Sequence, residues 1–238
     1  MKYGIILFDA DGTLYDFDLS EKISLDETLA FAGVPSDPET LALYHDINAR
    51  EWEALERGET TRERLKIERF RKLIAALPSE KIKTDKAPED IADFYLNALS
   101  EKCILFPESE ELCRRLSEDF DLYIITNGTT SVQKRRFAKS PITKYIKKTF
   151  ISDEMGYDKP AIEYFNIVFD DLGITDENKH RVLLVGDSLS SDIKGGINAG
   201  LDTCWFNPKG KDSGSLSPVY TVKHLDELYE ICYSGEKH

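Results

Sequence analysis

The sequence predicts an α/β fold in which a parallel sheet is flanked by helices. Five short apolar runs predict strands, at residues 5–8, 122–125, 150–151, 182–185 and 204–206. Most of these runs are continuous, which is typical of strands covered on both faces. Segments with apolar residues at helical spacing fill several of the intervals between the runs. Strands and helices that alternate in this way favour an open α/β sheet.

The helices of this fold have their own signals. Helical segments are predicted at residues 108–118, 161–172, 190–199 and 225–233. Gly200 suits the left-handed position that follows a helix, and Pro160 suits the first turn of the helix after it. A short sixth strand is predicted at residues 218–222.

Residues 16–99 differ from the rest of the chain. They contain no strand-like run and are rich in Glu, Arg, Lys, Leu and Ala. Their helical spacing comes in pieces that are broken at Gly33, Gly58 and Pro78. The segment lies between the first two strands, where a simple crossover needs only about a dozen residues. We therefore expect a helical domain at 16–99, inserted into an α/β core made of 1–15 and 100–238.

Composition limits the classes of partner. The 238 residues include 31 basic and 44 acidic side chains, and the net charge is −13. This balance argues against sequence-independent binding to nucleic acid or anionic membranes, because both use an excess of Lys and Arg. The four cysteines contain no CxxC pair, which indicates reduced thiols. No apolar run approaches the roughly 18 residues of a membrane span or forms a signal-peptide core, so we expect a cytoplasmic protein.

The end of the first apolar run carries the strongest signal for chemistry. Asp9 and Asp11 lie there in the sequence Asp-Ala-Asp-Gly-Thr. Residues two apart in an extended chain face the same side, and two close carboxylates repel unless a cation or a proton lies between them. The pair therefore favours a metal site, with a polar loop as the alternative. An EF-hand is excluded, because the positions that need glycine and glutamate hold Leu14 and Ser20.

Three further strand ends carry polar side chains. They are Thr126 and Asn127 after the second run, Lys159 after the third, and Asp187 with Asp192 after the fourth. Taken singly, these segments have simpler explanations as a turn, a surface charge and a helix cap. Taken together they favour function, because ligands of open α/β sheets bind at the carboxyl ends of the strands.

The four segments resemble the four ordered motifs of the haloacid dehalogenase (HAD) superfamily of phosphohydrolases. They are Asp9-Ala10-Asp11-Gly12-Thr13, Thr126-Asn127, Lys159-Pro160 and Gly186-Asp187 with Asp192. The resemblance implies a Rossmann-like core and covers nearly the whole chain, since the insert at 16–99 is similar to the family's helical cap domain. Within the superfamily, residues 125–129 and 156–160 resemble a bacterial branch of pyrimidine or house-cleaning 5′-nucleotidases.

The resemblance implies a role for each acidic residue. Asp9 would attack phosphorus and form an aspartyl-phosphate. Asp11 would protonate the leaving alcohol and then accept a proton from the hydrolytic water. Mg²⁺ would be held by the Asp9 carboxylate, the Asp11 backbone carbonyl and Asp187. Asp192 would support these ligands indirectly, for example through a water molecule.

The resemblance also implies the substrate class. Thr126, Asn127 and Lys159 would bind the phosphate oxygens, where charge is spread in the transition state. We expect a small phosphomonoester, a nucleoside 5′-monophosphate above all, and a monomer or small homo-oligomer without nucleic-acid or membrane partners. In the helical insert, Tyr44, His45, Arg50 and Trp52 are candidates to contact a base or sugar, although Trp52 also suits the core of that domain and Arg50 a solvated surface.

Other functions share parts of this pattern. A phosphosugar phosphatase or a β-phosphoglucomutase-like mutase keeps both acids and the helical cap. A haloacid dehalogenase needs no acid two residues after its nucleophile, so Asp11 argues against it. A receiver-type signalling domain has short connections, so the long insert argues against it.

Overall fold

The chain folds as two compact units in the computed structural model, which describes residues 1–83 and 85–234. One unit comprises Met1–Asp18 and Cys103–His238, and the other comprises Leu19–Lys102. Each boundary lies three residues C-terminal to the expected one. The described part of the first unit combines strands and helices, whereas that of the second contains helices and turns.

The sheet confirms the predicted α/β class. Its strands are β1 (Ile5–Phe8), β2 (Asp121–Thr126), β3 (Lys148–Ile151), β4 (Val182–Gly186), β5 (Asp202–Phe206) and β6 (Tyr220–Val222). In the described part of the chain they form one six-stranded parallel sheet in the order β3-β2-β1-β4-β5-β6. Several strands extend beyond the predicted apolar runs, because backbone pairing continues through polar residues such as Asp121 and Lys148.

Both faces of the sheet are covered. Ile6 and Phe8 pack in one buried cluster, whereas Leu7 between them packs in another, together with Ile125 of β2. Successive side chains of a strand point to opposite faces, so a strand buried on both faces needs apolar residues at every position. This burial explains why the runs are continuous.

The centre of the sheet positions the candidate site. β1 lies between β2 and β4, and the strand order changes direction there, since β2 and β3 lie on one side and β4, β5 and β6 on the other. Ligands of open α/β sheets bind at such a point, outside the carboxyl ends of the strands. The Asp9 N–H donates to the Val185 carbonyl at 2.8 Å, which continues the β1–β4 pairing by one residue and places Asp9 at this edge.

The helical unit is built from four long helices in its described residues. They are α1 (Phe17–Phe31), whose first two residues belong to the other unit, α2 (Pro38–Glu56), α3 (Arg62–Ala76) and α4 (Pro88–Glu101), with a short 3₁₀ turn at Ser79–Lys81. The breaks coincide with Gly33, Gly58 and Pro78, as expected, and both glycines have positive φ angles. Three buried rings, Tyr44, Phe70 and Tyr95, contact one another at tilted angles in its core, with centroid distances of 5.4–6.3 Å.

The helices of the α/β unit cover its sheet. They are α5 (Ser109–Leu116), α6 (Thr130–Lys139), α7 (Ser152–Met155), α8 (Ile162–Leu172), α9 (Lys194–Ala199) and α10 (Leu228–Ser234). Gly200 has φ +76° after α9, which confirms its expected role. Among the described helices, none combines the length and apolar character needed to cross a membrane.

Two helix starts were predicted wrongly. Pro160 does not open a helix, because α8 begins at Ile162 and the Lys159 backbone is bonded on both sides to the Asn127 side chain. The segment predicted as one helix at 190–199 begins with a π-helical turn at Leu189–Ile193, and α9 follows it. In this wider turn the Asp192 carboxylate accepts from the Ser188 N–H at 3.0 Å.

Candidate active site

Three carboxylates meet at the carboxyl ends of β1 and β4. Oxygens of Asp9, Asp187 and Asp192 lie within 4.8 Å of one another. Asp9 follows β1 directly, Asp187 follows β4, and Asp192 comes from the π-helical turn. Asp9 is 7% exposed and Asp192 only 1%. The structure thus brings together three of the acids that the sequence singled out.

Lys159 lies within this cluster. Its ammonium Nζ donates to Asp9 Oδ1 at 2.6 Å, to Asp192 Oδ1 at 2.7 Å and to the Ile125 carbonyl at 3.0 Å. Burial by itself lowers the pKa of this ammonium, but the two carboxylates outweigh burial and hold the pKa above its usual value. Lys159 is therefore a permanent cation that neutralises one of the three carboxylates.

The remaining negative charge suits a divalent cation. Burial is the main cause that raises the pKa of Asp9, and the neighbouring acids add to it while Lys159 opposes it. Burial first, and then Asp192, raises the pKa of Asp187 to about 7. Raised pKa values show that the negative charges of these acids are unfavourable here, and a bound cation would stabilise them. Carboxylate oxygens are the ligands that Mg²⁺ prefers. The residues present therefore fit Mg²⁺.

Gly12 makes room for Asp187. It has φ +92°, and a Cβ atom there would lie 2.6 Å from Asp187 Oδ2. We expect Gly12→Ala to displace this carboxylate and weaken Mg²⁺ binding by about 10- to 100-fold, the range seen when supports of metal ligands are altered. Isothermal titration calorimetry measures the affinity. Gly173→Ala is the matched control, because its φ is +64° and nothing lies within 4 Å of the added atom. Equal Mg²⁺ affinity in the two variants would contradict the prediction.

Asp11 stands apart from the described acidic cluster. Gln133 Nε2 donates to its Oδ2 at 2.6 Å, and Arg136 Nη1 forms an ion pair with its Oδ1. The Asp11 side chain remains 22% exposed, whereas that of Arg136 is fully buried. The structure thus separates Asp11 from the other three acids by giving it partners of its own.

Neither of these two partners, nor helix α6 that carries them, was predicted from the sequence. Gln133 and Arg136 are buried on α6 next to Val132 and Phe137, whereas the residues between them are exposed. One feature of the sequence could have identified them. Gln133 and Arg136 are three residues apart, which places them on one face of a helix just after the Thr126-Asn127 motif.

Thr126 and Asn127 lie at the end of β2, but their side chains make different contacts. Thr126 Oγ1 accepts from the Gly128 N–H at 3.1 Å and from Gln133 Nε2 at 3.0 Å. Asn127 Oδ1 accepts from the Lys159 N–H at 2.9 Å, and its Nδ2 donates to the Lys159 carbonyl at 2.8 Å. The Asn127 side chain thus orients the Lys159 loop. Direct binding of phosphate oxygens by Thr126 or Asn127 stays a prediction.

A groove opens beside Asp187 within the α/β unit. It encloses about 130 Å³ and is lined by aromatic and basic side chains, among them Phe106, Trp205, Phe206, Lys209 and Lys211. Trp205 Nε1 donates to the Asp187 carbonyl at 2.9 Å, which anchors the groove to the acidic cluster. A small organic group therefore has space next to the carboxylates.

The four ligand candidates in the helical unit have different surroundings. Tyr44 is fully buried against Phe70, so its selection as a ligand contact was wrong: its ring belongs to the core of this unit. The ring of Trp52 lies 5.6 Å from the Arg62 guanidinium. The side chains of His45 and Arg50 are 54% and 73% exposed, respectively.

Comparisons with known proteins find relatives that match nearly the whole chain. The HAD-hydrolase YfnB of Bacillus subtilis is 36% identical over 97% of this chain and 95% of its own. The structure of YfnB bound to magnesium superposes with a TM-score of 0.88, covering 98% of this chain and all of that one. The pyrimidine 5′-nucleotidases PynA of Streptococcus pneumoniae and YjjG of Escherichia coli are each 32% identical over 97% of this chain, and 95% and 98% of their own lengths are covered.

The family model for haloacid dehalogenase-like hydrolases matches residues 3–200. This range contains β1 through α9 and therefore the three clustered acids, Lys159, and Asp11 with its partners, whereas Trp205, Phe206, Lys209 and Lys211 of the groove follow it. The resemblance inferred from the four motifs is thereby confirmed. The chain belongs to the haloacid dehalogenase-like hydrolase family.

Proposed function

We propose that this hydrolase is a Mg²⁺-dependent phosphomonoesterase that acts through an aspartyl-phosphate. The observation that carries the proposal is the position of Asp9, whose carboxylate lies at the switch point of the sheet and is bonded to Lys159. The Lys159 ammonium, 2.6 Å from Asp9 Oδ1, is close enough to contact a phosphoryl group transferred to Asp9. Asp11, two residues further on, is available as a separate acid–base group.

The first half-reaction joins Asp9 to phosphorus. A carboxylate oxygen of Asp9 attacks phosphorus, and the bond from phosphorus to the ester oxygen breaks. Asp11 gives its proton to that oxygen, so the alcohol leaves neutral. Lys159 and Thr126 bind oxygens of the phosphoryl group during the transfer. Mg²⁺, held by Asp9, Asp187 and the Asp11 carbonyl, would reduce the repulsion between the anionic nucleophile and the anionic ester.

The second half-reaction restores the enzyme. Asp11, now a carboxylate, takes a proton from a water molecule as the water oxygen bonds to phosphorus. The bond between phosphorus and Asp9 breaks, inorganic phosphate forms, and both acids regain their starting states. One residue thus serves as acid and then as base, which requires it to stay in a fixed place beside the reacting oxygen.

Nucleoside 5′-monophosphates, pyrimidine nucleotides first, are the substrates we propose. Two relatives that match nearly the full chain are pyrimidine 5′-nucleotidases, which supports this choice. We further propose that the helical unit, Leu19–Lys102, is a cap that selects the leaving group. The net charge of −13 favours a small monoester over a polyanionic strand.

The test is hydrolysis of a substrate panel by the purified protein. With Mg²⁺ present, we expect release of inorganic phosphate from nucleoside 5′-monophosphates and loss of that release with EDTA. Sugar phosphates that exceed all nucleotides by tenfold or more in kcat/KM would overturn the nucleotidase assignment. Isomerisation of a sugar phosphate without free phosphate would indicate a mutase, and a long-lived phosphoprotein without turnover would indicate signalling.

A further inference from the structure

We propose that Gln133 and Arg136 are positioning residues that hold the Asp11 carboxyl in place for proton transfer. This inference rests on the proposed function, since it assigns a purpose to contacts of the acid–base residue. Both side chains lie on helix α6, outside the four motifs. Through Asp11 they would act on the protonation of the leaving group.

The three side chains form a closed set of contacts. Gln133 Nε2 donates to Asp11 Oδ2 at 2.6 Å, and Arg136 Nη1 pairs with Asp11 Oδ1. Arg136 Nη1 also donates to Gln133 Oε1 at 3.2 Å. Each oxygen of the Asp11 carboxyl thus has its own donor, and the donors hold each other. Such a ring allows the carboxyl little rotation.

Gln133 also connects Asp11 to the phosphate-binding side of the site. The same Nε2 lies 3.0 Å from Thr126 Oγ1. The turn after Thr126 is shaped to admit this side chain, because a Cβ atom at Gly128 would lie 2.2 Å from Gln133 Nε2. The position of the acid–base group is therefore set relative to a residue that we propose binds the phosphoryl oxygens.

The burial of Arg136 argues that its charge has a purpose at this place. Its side chain is fully buried, and its guanidinium carbon lies 4.8 Å from the centroid of the Tyr15 ring. An unpaired buried cation is strongly destabilising, and a protein is often as stable or more stable when apolar side chains of similar size replace a buried ion pair. Asp11 is only partly buried, so the pair leaves one side of the carboxyl open to a ligand.

A positioning role predicts a dependence on the leaving group. An alkyl ester, such as a nucleoside 5′-monophosphate, needs a proton from Asp11 when its bond to phosphorus breaks. The 4-nitrophenolate ion leaves without a proton, so 4-nitrophenyl phosphate does not need the acid in that step. Because kcat/KM covers only the steps up to the departure of the leaving group, it isolates this difference from the later hydrolysis.

The experiment compares Arg136→Met with Arg135→Met on both substrates. Arg135 is the adjacent, exposed arginine of the same helix. For Arg136→Met we expect kcat/KM to fall about 100-fold on the nucleotide and less than about 10-fold on 4-nitrophenyl phosphate, in line with the ~10²–10⁴-fold effect of general acid–base catalysis. Arg136→Lys should recover part of the loss. Arg135→Met should match the wild type.

A second readout follows the hydrolysis of the intermediate. If Asp11 is misplaced as a base, Arg136→Met should release a burst of 4-nitrophenolate equal to the enzyme concentration, followed by slow turnover. An equal loss of kcat/KM on both substrates without a burst would overturn the inference, because general loss of structure acts on both substrates alike. Failure of the wild type to hydrolyse either ester would instead overturn the proposed function.

Gln133→Met keeps the test valid if Arg136→Met does not fold. It removes the contact with Asp11 Oδ2 without a change of charge and leaves the ion pair with Arg136. We expect the same selective loss on the nucleotide, smaller in size, with thermal unfolding close to that of the wild type. Wild-type kcat/KM on both substrates in Gln133→Met would overturn its part in the inference.

Discussion

Asp9→Asn is expected to lower phosphate release by at least about 10⁴-fold, because an amide oxygen cannot replace the nucleophilic carboxylate. The substitution keeps the size of the side chain and still offers an oxygen to Lys159, which now lies 2.6 Å from Asp9 Oδ1. The fold should therefore persist. Acid-quenched samples analysed by mass spectrometry should show a phosphorylated peptide containing Asp9 in the wild type and none in the variant.

The control for this prediction is Asp176→Asn. Asp176 belongs to the same unit, and its side chain is 91% exposed and paired with Lys179. This variant should keep wild-type activity, which separates the role of Asp9 from a general effect of lost negative charge. Turnover by Asp9→Asn within tenfold of the wild type, or a phosphorylated peptide elsewhere in the chain, would disprove the assignment of Asp9 as the nucleophile.

Lys159→Met is expected to affect both stability and catalysis. Removal of the ammonium leaves Asp9 and Asp192 buried without their shared partner, and breaking a buried ion pair costs about 3–5 kcal/mol of unfolding free energy. Phosphate release should fall with it, since the cation that we propose binds phosphoryl oxygens is gone. Urea unfolding measures the stability. Mg²⁺ should recover part of the loss, because it neutralises the same carboxylates.

Lys148→Met is the matched control for Lys159→Met. Lys148 pairs with Asp171 at 2.5 Å, and both side chains are more than one-third exposed. Exposed ion pairs contribute about 0–1 kcal/mol, so the control should unfold close to the wild type. If the two variants lose the same stability, or if Mg²⁺ stabilises Lys159→Met no more than the wild type, Lys159 is not the counter-charge of the cluster.

Most of the sheet could be predicted from the sequence because its strands are local and continuous. A strand buried on both faces requires an unbroken apolar run, and runs such as 5–8 and 182–185 matched β1 and β4 closely. The strand ends were predicted less accurately, since backbone pairing does not stop where apolar side chains stop. The π-helical turn at Leu189–Ile193 was missed because helical spacing alone does not distinguish it from an α-helix.

The acids and the lysine of the candidate site were predicted because they follow strand ends, either directly or within the segment that comes next. Asp9 and Asp187 follow directly, and a short motif records this position. The partners of Asp11 could not be found in this way, because Gln133 and Arg136 lie 122 and 125 residues away along the chain. The contacts of the Asn127 side chain were not predicted either: both its oxygen and its nitrogen bond to the Lys159 backbone.

The sequence by itself determined the fold class, the family and the acids at the strand ends, because each depends on residues that are close together along the chain. Only the tertiary structure decided which charges meet: Lys159 with Asp9 and Asp192, and Arg136 with Asp11. The physical reason is that local spacing sets the face of a strand or helix on which a side chain lies. The partner it meets there depends on the order of the strands and on the packing of the helices against them.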